Sequence, residues 1–313
     1  MCSDTAKVPR IVSLIASATE IVHALGMGDF MVARSHECDF PTSVLSLPAC
    51  TSPKFAISGN SREIDTLVKE TLQTAFSVYE VDEELLERLQ PTLIITQSQC
   101  DVCAVSLRDV EAALSRRITC QPEIVSLQPN ALADIWNDIL RVASALNMAV
   151  TGERLVEKLN RGLKAISERA VAAPQRPTVA CLEWLEPLMA GGNWVPELVE
   201  MAGATNLFGI AGKHSPWLEW SDLCRHDPDC LVVMPCGFDL DRTEKQMYWL
   251  AGRPEWKSLR AVKRGQVYLT DGNQYFNRPG PRVVDSLQIL AEIFHPELCP
   301  PELEGRGWKR LEL

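Results

Sequence analysis

Residues 151–173, TGERLVEKLNRGLKAISERAVAA, constrain the fold more than any other stretch. Leu155, Val156, Leu159, Leu163, Ile166 and Ala170 recur at helical spacing, so one continuous helix presents a single apolar stripe. Thr151 stands where an N-cap is wanted. Glu153 falls in the first turn, where the helix dipole favours an acid, and Pro174 and Pro177 end the run. A helix of about 22 residues is ~33 Å long, roughly the width of a small domain. That length suits a strut between two bodies.

The flanks of the strut echo each other. Ile11-Val-Ser-Leu14 followed by Glu20 to Phe30 reads as a strand and then an acid-started helix that closes on glycine. Val179-Ala-Cys-Leu182 followed by Glu197 to Phe208 repeats the pattern. The stretch from Leu85 through Pro91 to Thr96 pairs with the stretch from Asp222 through Pro228 to Met234: a helix end, a proline, then a buried strand. The reading is α/β: two similar lobes with mainly parallel central sheets, joined by one long rigid helix, with a ligand cleft between lobes. The expected limits are 8–150 for the first lobe, 151–173 for the helix, 177–298 for the second lobe and 299–313 for a peripheral, proline- and charge-rich tail.

Bulk properties exclude several classes. A chain of 313 residues can bury two modest cores. A formal charge of −10 argues against nucleic acid or an anionic membrane as the main partner. No segment has the roughly 18 apolar residues that a membrane span requires, and the first ten residues lack the apolar core of a signal peptide. Eleven cysteines would leave one unpaired in an oxidising compartment, whereas a reducing cytosol needs no pairing. The expectation is a cytoplasmic protein, periplasmic or lipid-anchored only if an export segment was removed.

Along the chain, Ser17-Ala-Thr-Glu20 has the capping-box pattern and predicts that the first helix starts at Ser17. Strands are predicted at 30–33, 91–96, 123–127, 178–182, 230–234 and 266–269. Helices are predicted at 64–76, 83–89, 107–115, from a cap at Asn130, at 196–202 and at 283–294.

The chemistry gathers where predicted strands end. His36-Glu37-Cys38-Asp39, the stretch from Gln97 through Cys100 to Cys103, Glu183-Trp184, Asn193-Trp194, Cys236-Gly-Phe238-Asp239 and Tyr275-Phe276-Asn-Arg278 all follow strands or their glycine loops. Ligands of open α/β sheets bind outside the carboxyl ends of strands. Aromatic bodies with polar tips suit a large ligand that is apolar on its faces and polar at its edge. Thiolates at Cys38, Cys100, Cys103 and Cys236 are candidate ligands for zinc or iron. The lone Cys-x-x-Cys pair is weak evidence, because a structural zinc site usually has a second pair. The sequence contains no nucleophile elbow, phosphate loop or dinucleotide fingerprint.

The order of Ile11-Val-Ser-Leu, Ser17-Ala-Thr-Glu20, Asp39-Phe-Pro41, Leu89-Gln-Pro-Thr-Leu-Ile-Ile95, the strut, Gly191-Gly-Asn-Trp-Val-Pro-Glu-Leu-Val199 and Pro228-Asp229 resembles the cobalamin and iron-siderophore substrate-binding proteins of ABC importers. Within them it is most similar to the cobalamin-binding branch, and the likeness covers roughly residues 8–298. The resemblance implies non-enzymatic capture of a corrinoid between two lobes. Trp184, Trp194, Tyr275 and Phe276 would lie against the ring, with His36, Asp39, Gln97 and Asp239 near its amides, and its cobalt would be ligated by His36 or by a thiolate of Cys38, Cys100, Cys103 or Cys236. It also implies docking to a permease through an acid on each lobe, Glu84 by position and Asp222 approximately. The alternatives are a metal- or thiol-dependent enzyme using the cysteine-rich cleft, and an importer component for haem or a ferric siderophore.

Overall fold

A computed structural model describes residues 8–55, 58–74, 78–98, 110–112, 115 and 119–312. The chain divides into two compact units. The first holds Met1–Ile57, Leu67–Gln128 and Trp136–Val156, and the second holds Ser58–Thr66, Pro129–Ile135 and Glu157–Leu313.

The elements of the first part of the chain are β1 (Ile11–Ser13), α1 (Ala16–Ala24), β2 (Met31–Arg34), β3 (Thr51–Pro53), α2 (Ser61–Thr74), β4 (Tyr79–Val81), α3 (Glu83–Leu89), β5 (Leu93–Gln97), β6 (Glu123–Leu127) and α4 (Leu132–Ala145). Four strands form a sheet in the order β2-β1-β5-β6, every pairing parallel. Parallel sheets are covered on both faces. Accordingly β1 and β5 are buried along their whole length, and Val12, Leu14, Ala33, Leu86, Ile94 and Val110 pack into one core. Strands β3 and β4 form a separate antiparallel ribbon.

Helix α5 (Ala149–Ala170) is the expected strut, 22 residues long. Leu159, Leu163, Ile166 and Ala170 are buried, as the stripe requires. It starts two residues before the predicted cap, so Thr151 lies inside the helix. Its residues belong to the first unit up to Val156 and to the second from Glu157.

The second part holds β7 (Thr178–Leu185), β8 (Leu188–Ala190), α6 (Val195–Met201), β9 (Thr205–Asn206), α7 (Trp220–His226), β10 (Cys230–Val233), α8 (Leu240–Gln246), α9 (Tyr248–Ala251), α10 (Arg260–Lys263), β11 (Val267–Thr270), α11 (Val283–Phe294) and β12 (Trp308–Arg310). Its sheet runs β12-β11-β10-β7-β8, with β9 also on β7. The pairs among β9, β7, β10 and β11 are parallel, while β8 and β12 are antiparallel additions. Ala180, Leu182, Leu231, Val233, Leu269 and Trp256 anchor its core.

The echo between the halves extends to backbone angles. Helix α3 ends on Gln90 at φ 45°, ψ 60°, and α7 ends on Asp227 at φ 43°, ψ 66°. Each left-handed cap returns its N–H to a leucine carbonyl, Leu86 or Leu223, and each precedes a proline that cannot continue the helix.

Four expectations fail for physical reasons. Ser17 caps nothing: α1 starts at Ala16, and Ser17 and Glu20 are 1% and 3% exposed within it. A working capping box sits elsewhere. Asn60 Oδ1 accepts the Glu63 N–H at 3.0 Å and Glu63 Oε2 accepts the Asn60 N–H at 2.9 Å, starting α2 three residues before the expected point. The tail is not peripheral either, because it supplies β12. Helix α4 starts at Leu132 rather than directly after Asn130, with the Asp134 carboxylate accepting the Asn130 and Ala131 N–H groups. The predicted helix at 107–115 falls largely outside the described residues.

Candidate functional site

In a parallel sheet the strands end at one edge, so register decides which side chains meet there. In the first unit Ser13 lies opposite Arg34 and Ile95, and Gln97 opposite Leu127. The chain leaving β2 is tied down at once. Thr51 Oγ1 accepts both the His36 peptide N–H, at 3.1 Å, and the His36 Nδ1, at 2.8 Å, and donates to Ser35 Oγ at 3.0 Å. With the one threonine proton directed to Ser35, the imidazole proton sits on Nδ1. Burial, and next the Arg34 charge, hold the His36 pKa below its ordinary value, so the ring is neutral at pH 7. Its Nε2 is shielded from solvent without a hydrogen-bond partner, 3.9 Å from the Glu37 carboxylate, and the ring lies 5.2 Å from that of Tyr79.

Cys38 is fully buried beside Ala16 and Val44, and its sulfur accepts the Thr19 hydroxyl at 3.0 Å, so this thiol is core packing. Asp39 is half-buried and Phe40 is 40% exposed. Gln97 closes β5 at 2% exposure with its Nε2 unpartnered. Cys100 and Cys103 lie outside the described residues.

In the second unit, β7 runs three residues past its predicted end and carries Glu183 and Trp184 within the strand. Trp184 is half-buried and tilts against Phe238, ring centres 5.3 Å apart. Phe238 is enclosed, and the Arg242 guanidinium lies 4.0 Å over its ring while donating to the Gly59 carbonyl at 2.9 Å. Trp184 thus rests on a braced aromatic base, a pairing worth ~0.5–1.5 kcal/mol beyond burial. Asp239 is exposed and caps α8 by accepting the Arg242 N–H at 2.7 Å. Cys236 is half-buried, its N–H on the Glu183 carbonyl. Asn193, at φ 52°, has its Oδ1 buried without a partner.

Four more expected contacts are buried in this unit. Trp194 is 5% exposed and gives its indole N–H to the Phe276 carbonyl at 2.9 Å. Phe276, at φ 40°, is 1% exposed with its N–H on Ser286. Tyr275 is buried below Arg282, 5.4 Å from its ring centre, and buried Arg278 reaches Asn273 at 3.2 Å. Asp271, which the sequence did not single out, has its pKa raised by burial, and it accepts the Gln274 N–H at 2.7 Å. A signal existed: it is the first residue after β11.

Among the described residues no group of three or more His, Cys, Asp or Glu side chains could hold a metal ion. Glu84 is exposed in the first turn of α3, while Asp222 is ion-paired with Arg225. Measured back from the two left-handed caps, the position equivalent to Glu84 is Ser221, one residue from Asp222.

Comparison with known proteins agrees with this architecture. The family model described as periplasmic binding protein matches residues 11–274. The chain is 22% identical over 293 residues to an uncharacterised ABC transporter substrate-binding lipoprotein, YvrC, of Bacillus subtilis, covering 92% of this chain and 80% of the relative. It is 24% identical over 282 residues to the vitamin B12-binding protein of Vibrio cholerae, covering 90% and 87%. A periplasmic heme-binding protein from Pseudomonas aeruginosa shares the fold at a TM-score of 0.72 and 18% identity, over 97% of this chain and 98% of that one.

These relatives overturn the cytoplasmic expectation, since they are described as a lipoprotein and as periplasmic. The cysteine argument failed for a physical reason. The eight described cysteines are free, five of them buried, and act as small apolar side chains that report packing rather than redox compartment. The matched family binds solutes without transforming them, which sets aside the metal- or thiol-dependent enzyme. The twin α/β units, the connecting helix and the family match converge: the chain belongs to the periplasmic binding protein family, as a solute-binding component of an ABC importer.

Proposed function

We propose that this importer component takes a corrinoid, cobalamin or a close relative, as its solute. The observation that carries the reading is the charge of the accessible strand-end groups. Glu37, Asp39, Glu183 and Asp239 are exposed or half-buried there. The neighbouring arginines face inward: Arg34 donates to the Ser35 and His36 carbonyls, Arg242 lies on Phe238 and Gly59, and Arg278 is buried at Asn273. Carboxylate acceptors suit a ligand edged with amide N–H donors and repel one edged with carboxylates. The half-buried Trp184 ring offers an apolar face for a macrocycle. The vitamin B12-binding relatives support the same choice.

On this reading the ligand contacts are, in the first unit, Asp39 with His36 and Gln97, and, in the second unit, Glu183, Trp184, Asn193 and Asp239. Trp194, Phe238, Tyr275, Phe276 and Arg278 form the framework of the second unit's groups. Cys236 is the described thiol best placed to meet a bound metal centre. Glu84 is the proposed docking acid toward a permease, and Asp222, engaged by Arg225, is the weaker counterpart. The heme-binding structural neighbour keeps haem as the second reading. Titrating the protein with cyanocobalamin, cobinamide and hemin, followed by absorbance, separates the two. Saturable corrinoid binding at micromolar or lower concentration with weaker hemin binding is expected; tight hemin binding without corrinoid binding refutes the choice.

A further inference from the structure

Ser215 is 4% exposed and stands far in sequence from the groups it joins. Its hydroxyl accepts the Gly192 peptide N–H at 3.1 Å and donates to Glu183 Oε2 at 2.8 Å. The loop that carries it is fixed against the Gly191-Gly192-Asn193 loop. Asn193 N–H reaches the Lys213 carbonyl at 2.6 Å, Gly212 N–H the Asn193 carbonyl at 3.0 Å, and Ala190 N–H the Pro216 carbonyl at 2.9 Å. Gly192 is needed for this approach, because a Cβ there would lie 2.6 Å from the Ser215 N and Cα and 2.7 Å from the Lys213 carbonyl oxygen. A hydroxyl has one proton. With the glycine N–H supplying the donor on one side, that proton is directed at the carboxylate on the other.

We propose that Ser215 is a positioning residue for solute binding: pinned by Gly192, it holds the Glu183 carboxylate in the orientation that accepts an amide N–H from the ligand edge. The inference rests on the reading that Glu183 touches an amide-bearing solute. Without the pin, the Glu183 carboxylate loses its hydrogen bond from Ser215, and whatever orientation that bond holds must be regained on binding. Ser215 itself makes no ligand contact. It acts through Glu183.

The test is a double-mutant cycle read by cyanocobalamin affinity, using wild type, Ser215→Ala, Glu183→Gln, the double variant and Ser215→Thr, each checked for an intact thermal transition. Ser215→Ala is expected to weaken binding about tenfold in the wild-type background and by less than about twofold in the Glu183→Gln background. Ser215→Thr, which keeps the hydroxyl, is expected to recover most of the loss. Losses that multiply across the cycle, or a threonine variant as weak as the alanine one while equally folded, overturn the positioning role. Folded wild-type protein that binds no cyanocobalamin overturns the corrinoid reading, and the inference with it.

Discussion

A buried carboxylate ties helix α11 to the C-terminal strand, and removing it has a calculable cost. Glu292 is fully buried in α11. Its Oε2 accepts the Trp308 indole N–H at 2.7 Å and the Leu303 N–H at 3.0 Å, and its Oε1 accepts the Gln288 amide at 2.9 Å. Trp308 and Leu303 are 5% and 6% exposed, and Trp308 lies opposite Thr270 where β12 joins β11. Glu292→Ala leaves two donors without a partner where water cannot serve them, at ~1–3 kcal/mol each, and leaves a cavity beside an indole. The expected total is about 3–5 kcal/mol. Glu292→Gln keeps one carbonyl oxygen for both donors, and the Gln288 amide can turn to meet the new NH2, so about 1 kcal/mol is expected. Denaturant unfolding gives the cost, and hydrogen exchange at Trp308–Arg310 shows whether β12 has come loose. An alanine variant less than about 1 kcal/mol destabilised, or no worse than glutamine, refutes the assignment of Glu292 as the anchor.

Acid stability gives a second test. Burial raises the Asp229 pKa, but hydrogen bonds from Arg260 and Thr178 outweigh it and the net shift is downward. The unfolded state therefore binds the proton first. This carboxylate's stabilisation is complete above the ordinary aspartate range and is lost as pH falls through the lower folded value. Asp229→Asn should flatten that acid limb; an unchanged stability profile below about pH 4 contradicts it. Thiol labelling gives a third. Burial, and next the Cys38 charge, push Cys50 up to about 12, and burial pushes Cys181 and Cys230 up as well. At pH 8 a disulfide reagent should modify half-buried Cys236 in the native protein and reach those three only on unfolding. Native-state labelling of Cys181 sinks this. Bound corrinoid should slow the Cys236 reaction.

Much of the architecture was legible because it is local. Helix α3, strand β6 and helix α11 match their predicted bounds, since each is a periodic run closed by a proline, a turn or a cap. The site was legible only as a set of positions. Strand ends can be read from sequence, so Glu183, Trp184 and Asp239 stand out as candidates without any tertiary information. Whether a ring at such a position faces outward or braces its neighbours depends on contacts distant in sequence. Trp194 is bound to Phe276 and Glu183 to Ser215, pairings that no spacing announces.

The sequence by itself determined the α/β alternation, the single long helix and the internal echo, because apolar period, proline placement and left-handed caps are properties of short stretches. The tertiary structure alone decided where a capping box works. Asn60 and Glu63 pair at a helix start where Arg62 and Glu63 are exposed, whereas Ser17 and Glu20 are buried within theirs. It also decided that the tail is a strand and that Cys38 is core, since burial and long-range hydrogen bonds exist only once the sheets have formed.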